Sequence, residues 1–154
     1  MPHIARSSQT YRSIGDLQHQ AYALNDIGAV YQCIDRLDEA LAHHERAASV
    51  AEAAGDRYGY ATALCSVAES HFESDRLDTA LESYQQAAKI AGEIESLYLK
   101  ATALNGTAEI MLRTQGPEAA RIYLREAHDI FAQLGVPEAV TVEIRLHALD
   151  TPAS

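Results

Sequence analysis

The sequence predicts an all-α fold, a solenoid of antiparallel helix pairs with about eight helices. The main evidence is a forty-residue repeat: when the chain is shifted by forty, small and aliphatic residues fall on residues of the same kind. The aligned sets are Ala40, Ala80 and Ala120, then Ala47, Ala87 and Ala127, then Val50, Ile90 and Ile130. A repeat of this length is typical of stacked units in which each unit contacts only its neighbours.

The composition agrees with close packing of helices. Apolar residues make up 47% of the chain, aromatic residues only 6%, and tryptophan is absent. Alanine recurs instead at fixed repeat positions, and small residues allow helices to approach each other closely. No segment alternates apolar and polar residues over the length of a strand. We therefore expect a core of alanine and aliphatic side chains and no sheet.

The chain opens on a half repeat, residues 3–14, which we expect to form a short helix. After a shift of forty, Gly15 falls on Gly55 and Asp16 falls on Asp56. The half repeat therefore aligns with the second helix of a repeat, and Gly15-Asp16 is expected to end it. This alignment suggests a piece of a longer protein, and an ordinary N-terminal capping helix is the alternative.

The first full repeat spans residues 17–54. Asp16 is a good N-cap for a first helix over 17–33, and Asp35 is the expected N-cap of the second helix. Gly55 is expected to end that second helix in the left-handed conformation. The apolar residues of the first helix have helical spacing and predict one buried face: Ala23, Leu24, Ile27, Gly28 and Tyr31.

Repeat 2 spans 57–94 with helices expected over about 57–73 and 77–94, and repeat 3 spans 97–134 with helices expected over about 97–113 and 117–134. A capping helix over 137–149 follows. Asp56 and Asp75 are the expected N-caps of the two helices in repeat 2. Later helices have a proline at the first turn instead, where a missing N–H costs no hydrogen bond. The capping helix is expected to turn its charged residues to solvent, as an end cap should: Glu138, Glu143 and Arg145.

Charge and cysteine usage exclude several classes of partner. A net charge of −10 argues against nucleic-acid binding and against anionic membrane surfaces. Cys33 and Cys65 do not have the spacing of a metal motif and are too few for a disulfide framework. The N-terminus has no signal-peptide-like apolar run, and no stretch approaches about 18 consecutive apolar residues. We therefore expect a cytoplasmic protein with reduced thiols.

The sequence contains no recognisable catalytic or metal-binding motif. No glycine-rich phosphate loop, GxSxG or HExxH is present. His43 and His44 are neighbours, so on a helix they point about 100° apart. His71 and Asp75 are four residues apart, but a packing role explains the histidine. We expect no enzyme activity, no cofactor and no metal.

The repeat positions resemble those of the tetratricopeptide repeat, which prefers Leu-Gly and Tyr on its first helix and Ala, an aromatic residue and Ala on its second. Repeat 1 matches this pattern with Leu24, Gly28 and Tyr31, then Ala40, His44 and Ala47. The departures are the missing tryptophan, His71 and Met111 in the tyrosine position, and a period of forty rather than thirty-four. The resemblance implies a right-handed superhelix whose concave surface is lined by the first helix of each repeat.

The forty-residue period is similar to that of the extended-helix branch of this family, which includes kinesin light chain, the Pins/LGN group and bacterial peptide-pheromone receptors. The phrases RLDEA at 36–40 and AAGDR at 53–57 are similar to the C-terminal repeats of large actinobacterial regulators, of the antibiotic-regulatory or STAND type. This resemblance implies a regulatory or sensor part of a bacterial transcription regulator or signalling NTPase. Its partners would be a protein or peptide and the other domains of the parent protein.

The inward positions of the family give the candidate peptide-binding residues of the concave face. They are Tyr22, Asn25, Asp26, Gln32, Cys65, Glu69, Phe72, Glu73, Asn105, Glu109, Leu112 and Arg113. Four of these residues are acidic and only Arg113 is basic, which favours a neutral or basic peptide. A merely solvated polar face is the alternative, although Tyr22, Phe72 and Leu112 are apolar.

Self-association is the alternative function. A solenoid that lacks a neighbouring repeat exposes the face that the neighbour would cover, and exposed apolar patches mark interfaces. Ile4, Tyr11 and Ile14 are the candidate residues of this edge, and a homodimer is the assembly that this alternative predicts.

Overall fold

The computed structural model describes the backbone of residues 2–151 and the side chains of residues 12–151. This part of the chain contains seven helices and no strand. The helices are α1 (Pro2–Cys33), α2 (Leu37–Ala53), α3 (Arg57–Glu73), α4 (Leu77–Glu93), α5 (Leu97–Thr114), α6 (Pro117–Leu134) and α7 (Glu138–Asp150).

The predicted break at Gly15-Asp16 is wrong, because α1 runs without interruption from Pro2 to Cys33. Residues 3–14 are therefore the first turns of α1 rather than a separate helix, which gives seven helices instead of about eight. Gly15 has open space around its Cα, and a glycine inside a helix costs only about 1 kcal/mol relative to alanine. A glycine followed by an aspartate is thus too weak a signal to end a helix.

Five of the turns in the described chain share one hydrogen-bonded geometry. At Gly55, φ is 70° and the following N–H of Asp56 donates to the carbonyl of Ala51 at 3.0 Å. This is the Schellman arrangement that closes a helix C-terminus. The prediction for Gly55 is confirmed. Non-glycine residues hold the same left-handed position in three of the other turns: Asp35, Asp75 and Glu95.

This geometry corrects two of the predicted N-caps. Asp35 and Asp75 each have φ 61° and close the preceding helix, so they do not cap the following one. The N-cap residues are Arg36 and Arg76, without a capping hydrogen bond from the side chain. Aspartate is among the few residues that tolerate left-handed φ. Asp56 is confirmed as a cap, because its side chain accepts from the N–H of Gly59 at 2.9 Å.

The helices form two layers. Each helix packs against the next one along the chain, and α3 also contacts α1 and α5. In contrast, α2, α4 and α6 touch one another at most marginally. The helices α1, α3 and α5 are therefore closer together and line the concave side, as the resemblance implied.

Small residues occupy the points where helices cross. Ala40, Ala80 and Ala120 have no exposed surface, and Ala47, Ala87 and Ala127 are at most 1% exposed. The predicted buried face of α1 is only half correct, because Leu24 and Gly28 are buried whereas Ala23 and Ile27 are exposed. Larger side chains fill the space between repeats, among them Leu64, Ile90 and Ile130.

Replacing Ala80 with leucine should lower the free energy of unfolding by about 1–3 kcal/mol, because extra methylene groups have no space at a close helix crossing. Denaturant unfolding followed by circular dichroism measures the change. Ala42, which is exposed on α2, provides the control. Ala42→Leu should leave the midpoint almost unchanged, and an equal loss in both variants would contradict the assigned register.

Candidate functional site

Three adjoining clefts follow the concave side of the solenoid, and Glu69 lines all three. The acidic cleft lies between α3, α5 and α7 and has a volume of about 340 Å³. The tyrosine cleft lies towards the N-terminal ends of α3 and α5, at about 280 Å³. The Gln32 cleft lies between α1 and α3, at about 360 Å³. The odd-numbered helices thus form one continuous groove.

The acidic cleft brings together five of the residues predicted from sequence: Glu69, Phe72, Glu73, Asn105 and Glu109. Four more residues complete its lining: Tyr84, Thr102, Gly106 and Arg145. Sequence reasoning did not assign Tyr84 or Arg145 to the concave face. The cleft therefore combines three carboxylates, one carboxamide and two aromatic rings around a single cavity.

Glu69 and Glu73 give the groove an unbalanced negative charge. They lie one turn apart on α3, and neither has a basic partner among the described side chains. Loss of solvent, and then the neighbouring charge of Glu73, raise the pKa of Glu69 above its ordinary value. Like charges four residues apart on a helix cost about 0.2–0.5 kcal/mol. A cation in the groove would reduce both the rise in the pKa of Glu69 and the repulsion between the two carboxylates.

Arg145 is a groove residue that the sequence analysis assigned wrongly to the solvent-facing side of α7. Its guanidinium forms an ion pair with Glu109 and donates to Oδ1 of Asn105 at 2.7 Å. The forty-residue shift places Arg145 on Asn105 and Asn105 on Cys65. The repeat pattern therefore contained the signal that α7 continues the inner layer.

Tyr84 reaches the concave side from the outer layer. Its ring passes directly over Gly106. If residue 106 carried a Cβ atom, that atom would lie only 2.1 Å from Cζ of Tyr84. The ring lines both the acidic cleft and the tyrosine cleft. Burial, and then the charge of Glu69, raise the pKa of Tyr84, so its hydroxyl stays protonated. Gly106 is therefore required for the shape of the groove.

The tyrosine cleft contains Tyr22 and Cys65 from the predicted set and adds Tyr58, Tyr84 and Tyr98. Cys65 is only 8% exposed, and burial raises the pKa of its thiol to about 12. Cys65 thus contributes an apolar surface and no thiolate.

The Gln32 cleft joins α1 to α3. The side-chain amide of Gln32 donates to Glu73 Oε1 at 3.0 Å, and Ala29 and Cys33 complete the α1 side. Gln32 therefore lies on the concave side, as expected, although its amide already donates to Glu73.

Four predicted residues lie outside these clefts. The guanidinium of Arg113 lies 4.2 Å from the centre of the Phe72 ring and 3.6 Å from the carboxylate of Asp75.

Leu112 lines a smaller cavity of about 170 Å³ between α5, α6 and α7. Asp26 is exposed, and Asn25 accepts a hydrogen bond from Nδ1 of His44 at 2.8 Å.

The asparagines that were expected to grip a peptide backbone already have partners. Oδ1 of Asn25 is bonded by His44, and Oδ1 of Asn105 is bonded by Arg145. A ligand at either position would use the amide N–H groups or displace one of these partners.

Within the described residues, no three His, Cys, Asp or Glu side chains are grouped closely enough to hold a metal ion. None of the described helices combines the length and the apolar character that crossing a membrane requires.

Comparison with known proteins agrees with this geometry. The tetratricopeptide repeat family matches residues 19–93, which extend from α1 to the end of α4. The fold is that of a tetratricopeptide-repeat solenoid. The predicted fold class is thereby confirmed.

Two solved structures illustrate the similarity. The apo form of RapI superposes with a TM-score of 0.76 at 15% identity, covering 96% of this chain and 45% of RapI. BtubC (BKLC) from P. vanneervenii has a TM-score of 0.72 at 21% identity, covering 92% of this chain and 63% of that protein. The chain thus spans less than two thirds of either protein. No curated protein matches the sequence significantly. The resemblance to actinobacterial regulators stays a prediction.

Gly106→Ala should displace the Tyr84 ring and lower the free energy of unfolding by about 1–3 kcal/mol, because the new Cβ would overlap an aromatic ring. Thermal unfolding measures the loss, and aromatic NMR signals report the ring. Gly92→Ala is the matched control, since Gly92 lies in α4 with open space around it. That control should gain up to about 1 kcal/mol from helix propensity. A stabilised Gly106→Ala variant would show that the ring does not rest on this glycine.

Proposed function

We propose that this chain is a protein- or peptide-binding module whose concave groove holds an extended segment with neutral or basic side chains. One observation carries the proposal: three clefts adjoin along α1, α3 and α5, and the residue common to all three is Glu69, a carboxylate without a basic partner in the described chain. A continuous groove suits an extended chain, and unpaired acids favour a cation.

The charges of the groove distinguish between classes of ligand. Arg145 lines the acidic cleft and Arg113 lies beside Phe72, and each already contacts a carboxylate of the protein. A ligand carboxylate would have to displace Asp75 or Glu109. Glu69 and Glu73, in contrast, are available to a basic ligand. The groove therefore favours basic segments over C-terminal carboxylates.

The match to the tetratricopeptide repeat family supports a binding role, because stacked repeats present extended concave surfaces. We propose further that the module acts without catalysis, in the cytoplasm, as the regulatory or sensor part of a bacterial transcription regulator or signalling NTPase. The phrases RLDEA and AAGDR support that setting through their similarity to regulators of this kind.

The groove is tested by selecting binders from a random peptide library displayed on phage, followed by titration of the enriched peptide. We expect enrichment of lysine and arginine. The double variant Glu69→Gln/Glu73→Gln should bind the selected peptide roughly 10-fold more weakly, because hydrogen bonds to charged groups contribute about 1.5–3 kcal/mol.

Glu45→Gln/Glu82→Gln is the control for net charge, since both residues are exposed on α2 and α4. It should keep the wild-type affinity. Equal affinities for all three proteins would remove the concave groove as the binding site.

Self-association is a second candidate function, and an apolar stripe on the C-terminal part of α1 and the turn after it favours this function. Ile27 is 44% exposed, Val30 is 62% exposed and Ile34 is 57% exposed, with a spacing that places them on one face. The residues forty positions after Ile27 and Val30, namely Val67 and Ser70, are at most 6% exposed.

The internal repeats explain this difference. In the second repeat, Ala63 of α3 packs with Ala47 and Ala48 of α2. In the third repeat, Ala103 and Ile110 of α5 pack with the core of α3 and α4. The same face of α1 has no such neighbour among the described residues. The candidate edge therefore lies at Ile27, Val30 and Ile34, whereas Ile4 and Tyr11 lie outside the described side chains and Ile14 is half-buried.

We expect two copies of the chain to associate through this stripe, which light scattering over a concentration series measures as a dimer. Ile27→Glu/Val30→Glu should give a monomer, because the charges would be buried in an apolar contact. Ile122→Glu is the control, since Ile122 is 69% exposed on α6, away from the stripe. Wild-type protein that stays monomeric at the highest concentration would exclude this assembly.

A further inference from the structure

The tyrosine cleft differs in chemistry from the rest of the groove. Its ten lining residues include four tyrosines and Glu69, but no lysine, arginine or histidine. Three of the rings are open to a ligand: Tyr22 is 48% exposed, Tyr58 is 46% exposed and Tyr98 is 37% exposed. The fourth ring, that of Tyr84, is 7% exposed and forms part of the floor with Cys65. Several aromatic faces thus converge on one small cavity.

Two of the exposed rings are fixed by hydrogen bonds to carboxylates. Tyr22 donates to Oδ2 of Asp56 at 3.3 Å, and Tyr98 donates to Oε1 of Glu138 at 2.7 Å. The Tyr98 ring also packs edge-on against Phe131, with ring centres 5.9 Å apart. The bond to Glu138, followed by burial, raises the pKa of Tyr98 to about 12, so this hydroxyl stays a donor at neutral pH. Rings that are already oriented lose little freedom when a ligand binds.

The electrostatics of the cleft favour a positive ligand. The faces of tyrosine rings carry negative potential. Glu69 lines the cavity, and Asp56 and Glu138 lie behind two of the tyrosine hydroxyls. None of these three carboxylates has a basic partner among the described side chains. Aromatic faces combined with carboxylates are the arrangement that holds cations in proteins.

The size of the cleft limits what it can hold. Its volume of about 280 Å³ lies just below the range for small-ligand sites, about 300–1,000 Å³. It can take one side chain or one small ammonium compound, but not a whole peptide. The cleft also shares Glu69, Tyr84 and Thr102 with the acidic cleft, so a segment bound there could extend one side chain into it.

We propose that the tyrosine cleft is a cation-binding site that holds one lysine or arginine side chain of the bound segment between the rings of Tyr22, Tyr58 and Tyr98, close to the carboxylate of Glu69. The proposal rests on the proposed function for the source of the cation, but its chemistry can be tested without a peptide. It names the part of the groove that selects a basic residue at one position of the ligand.

The test uses two small probes of nearly equal shape, choline and its neutral carbon isostere 3,3-dimethyl-1-butanol. The full chain is labelled with ¹³C in its tyrosine rings, and NMR shifts are followed during titration at constant ionic strength. We expect choline to give saturable shifts at Tyr22, Tyr58 and Tyr98. The neutral isostere should bind roughly 10-fold more weakly or not at all, because it lacks the charge that the rings and Glu69 attract.

Tyr58→Leu is the diagnostic variant, since Tyr58 is exposed and its replacement should leave the fold intact. It should lower the affinity for choline by roughly 10-fold with an unchanged unfolding midpoint. Tyr31→Leu is the matched control, because Tyr31 lies on α1 outside the cleft, beside Arg36 and His43. This control should bind choline as the wild type does.

A peptide selected on the groove gives the second readout. Its basic residues are replaced one at a time by norleucine, which keeps the aliphatic stem and removes the charge. One replacement should weaken binding to the wild type by roughly 10-fold and have no effect on binding to Tyr58→Leu.

The outcomes separate this inference from the proposed function. Equal binding of choline and the alcohol, or shifts that increase linearly without saturation, would overturn the cation site even where peptides bind the groove through Glu69. Saturable choline binding without any peptide ligand would leave the cation site standing and remove the peptide-binding function.

Discussion

The close approach of neighbouring helices at a small residue is the constraint on which the rest of this structure depends. Ala40, Ala80 and Ala120 have no exposed surface because each lies where two helices cross. Alanine at these points allows large side chains elsewhere to interlock at the density of a protein interior. The repeated crossing brings α1, α3 and α5 together and leaves α2, α4 and α6 further apart. The concave groove is the direct consequence.

The same constraint explains how one backbone presents a different surface in each repeat. His44, Tyr84 and Leu124 occupy the same repeat position, and all three are buried. The His44 ring rests on Gly28 and donates to Asn25, whereas the Tyr84 ring rests on Gly106 in the next repeat and enters the groove. A glycine opposite a large ring therefore decides where that ring points. Variation at this position changes the recognition surface without changing the helix crossings.

The sequence predicted the parts of the fold that depend on local or repeated patterns. The helices of repeats 2 and 3, the left-handed Gly55 and the Asp56 cap were predicted correctly, because each follows from residue type and spacing. The continuous α1 was not predicted, since the penalty for Gly15 inside a helix is smaller than the pattern suggested. Asp35 was misassigned because aspartate suits both an N-cap and a left-handed turn.

The site was predicted less completely than the fold, for a physical reason. The inward positions of α3 and α5 follow from helical periodicity, so Glu69, Phe72, Glu73, Asn105 and Glu109 were found and do share one cleft. Tyr84 comes from the outer layer, and its entry depends on the space above Gly106. Arg145 could be assigned to the groove only if α7 had been recognised as a helix that contributes to the concave side. Both residues are placed by packing between repeats, which helical spacing within one repeat does not describe.

Glu69 connects the electrostatics of the groove to its proposed function. The carboxylate faces all three clefts and has lost part of its solvent, and Glu73 adds a like charge one turn away, so its pKa is raised. A carboxylate in this position is costly to the folded protein when it is ionised, and the cost disappears as the pH falls through its raised pKa. A cationic ligand acts in the opposite direction, because it stabilises the ionised form. Ligand binding and ionisation of Glu69 therefore reinforce each other, and the charge arrangement that slightly destabilises the empty groove is the one that would hold a basic ligand in it.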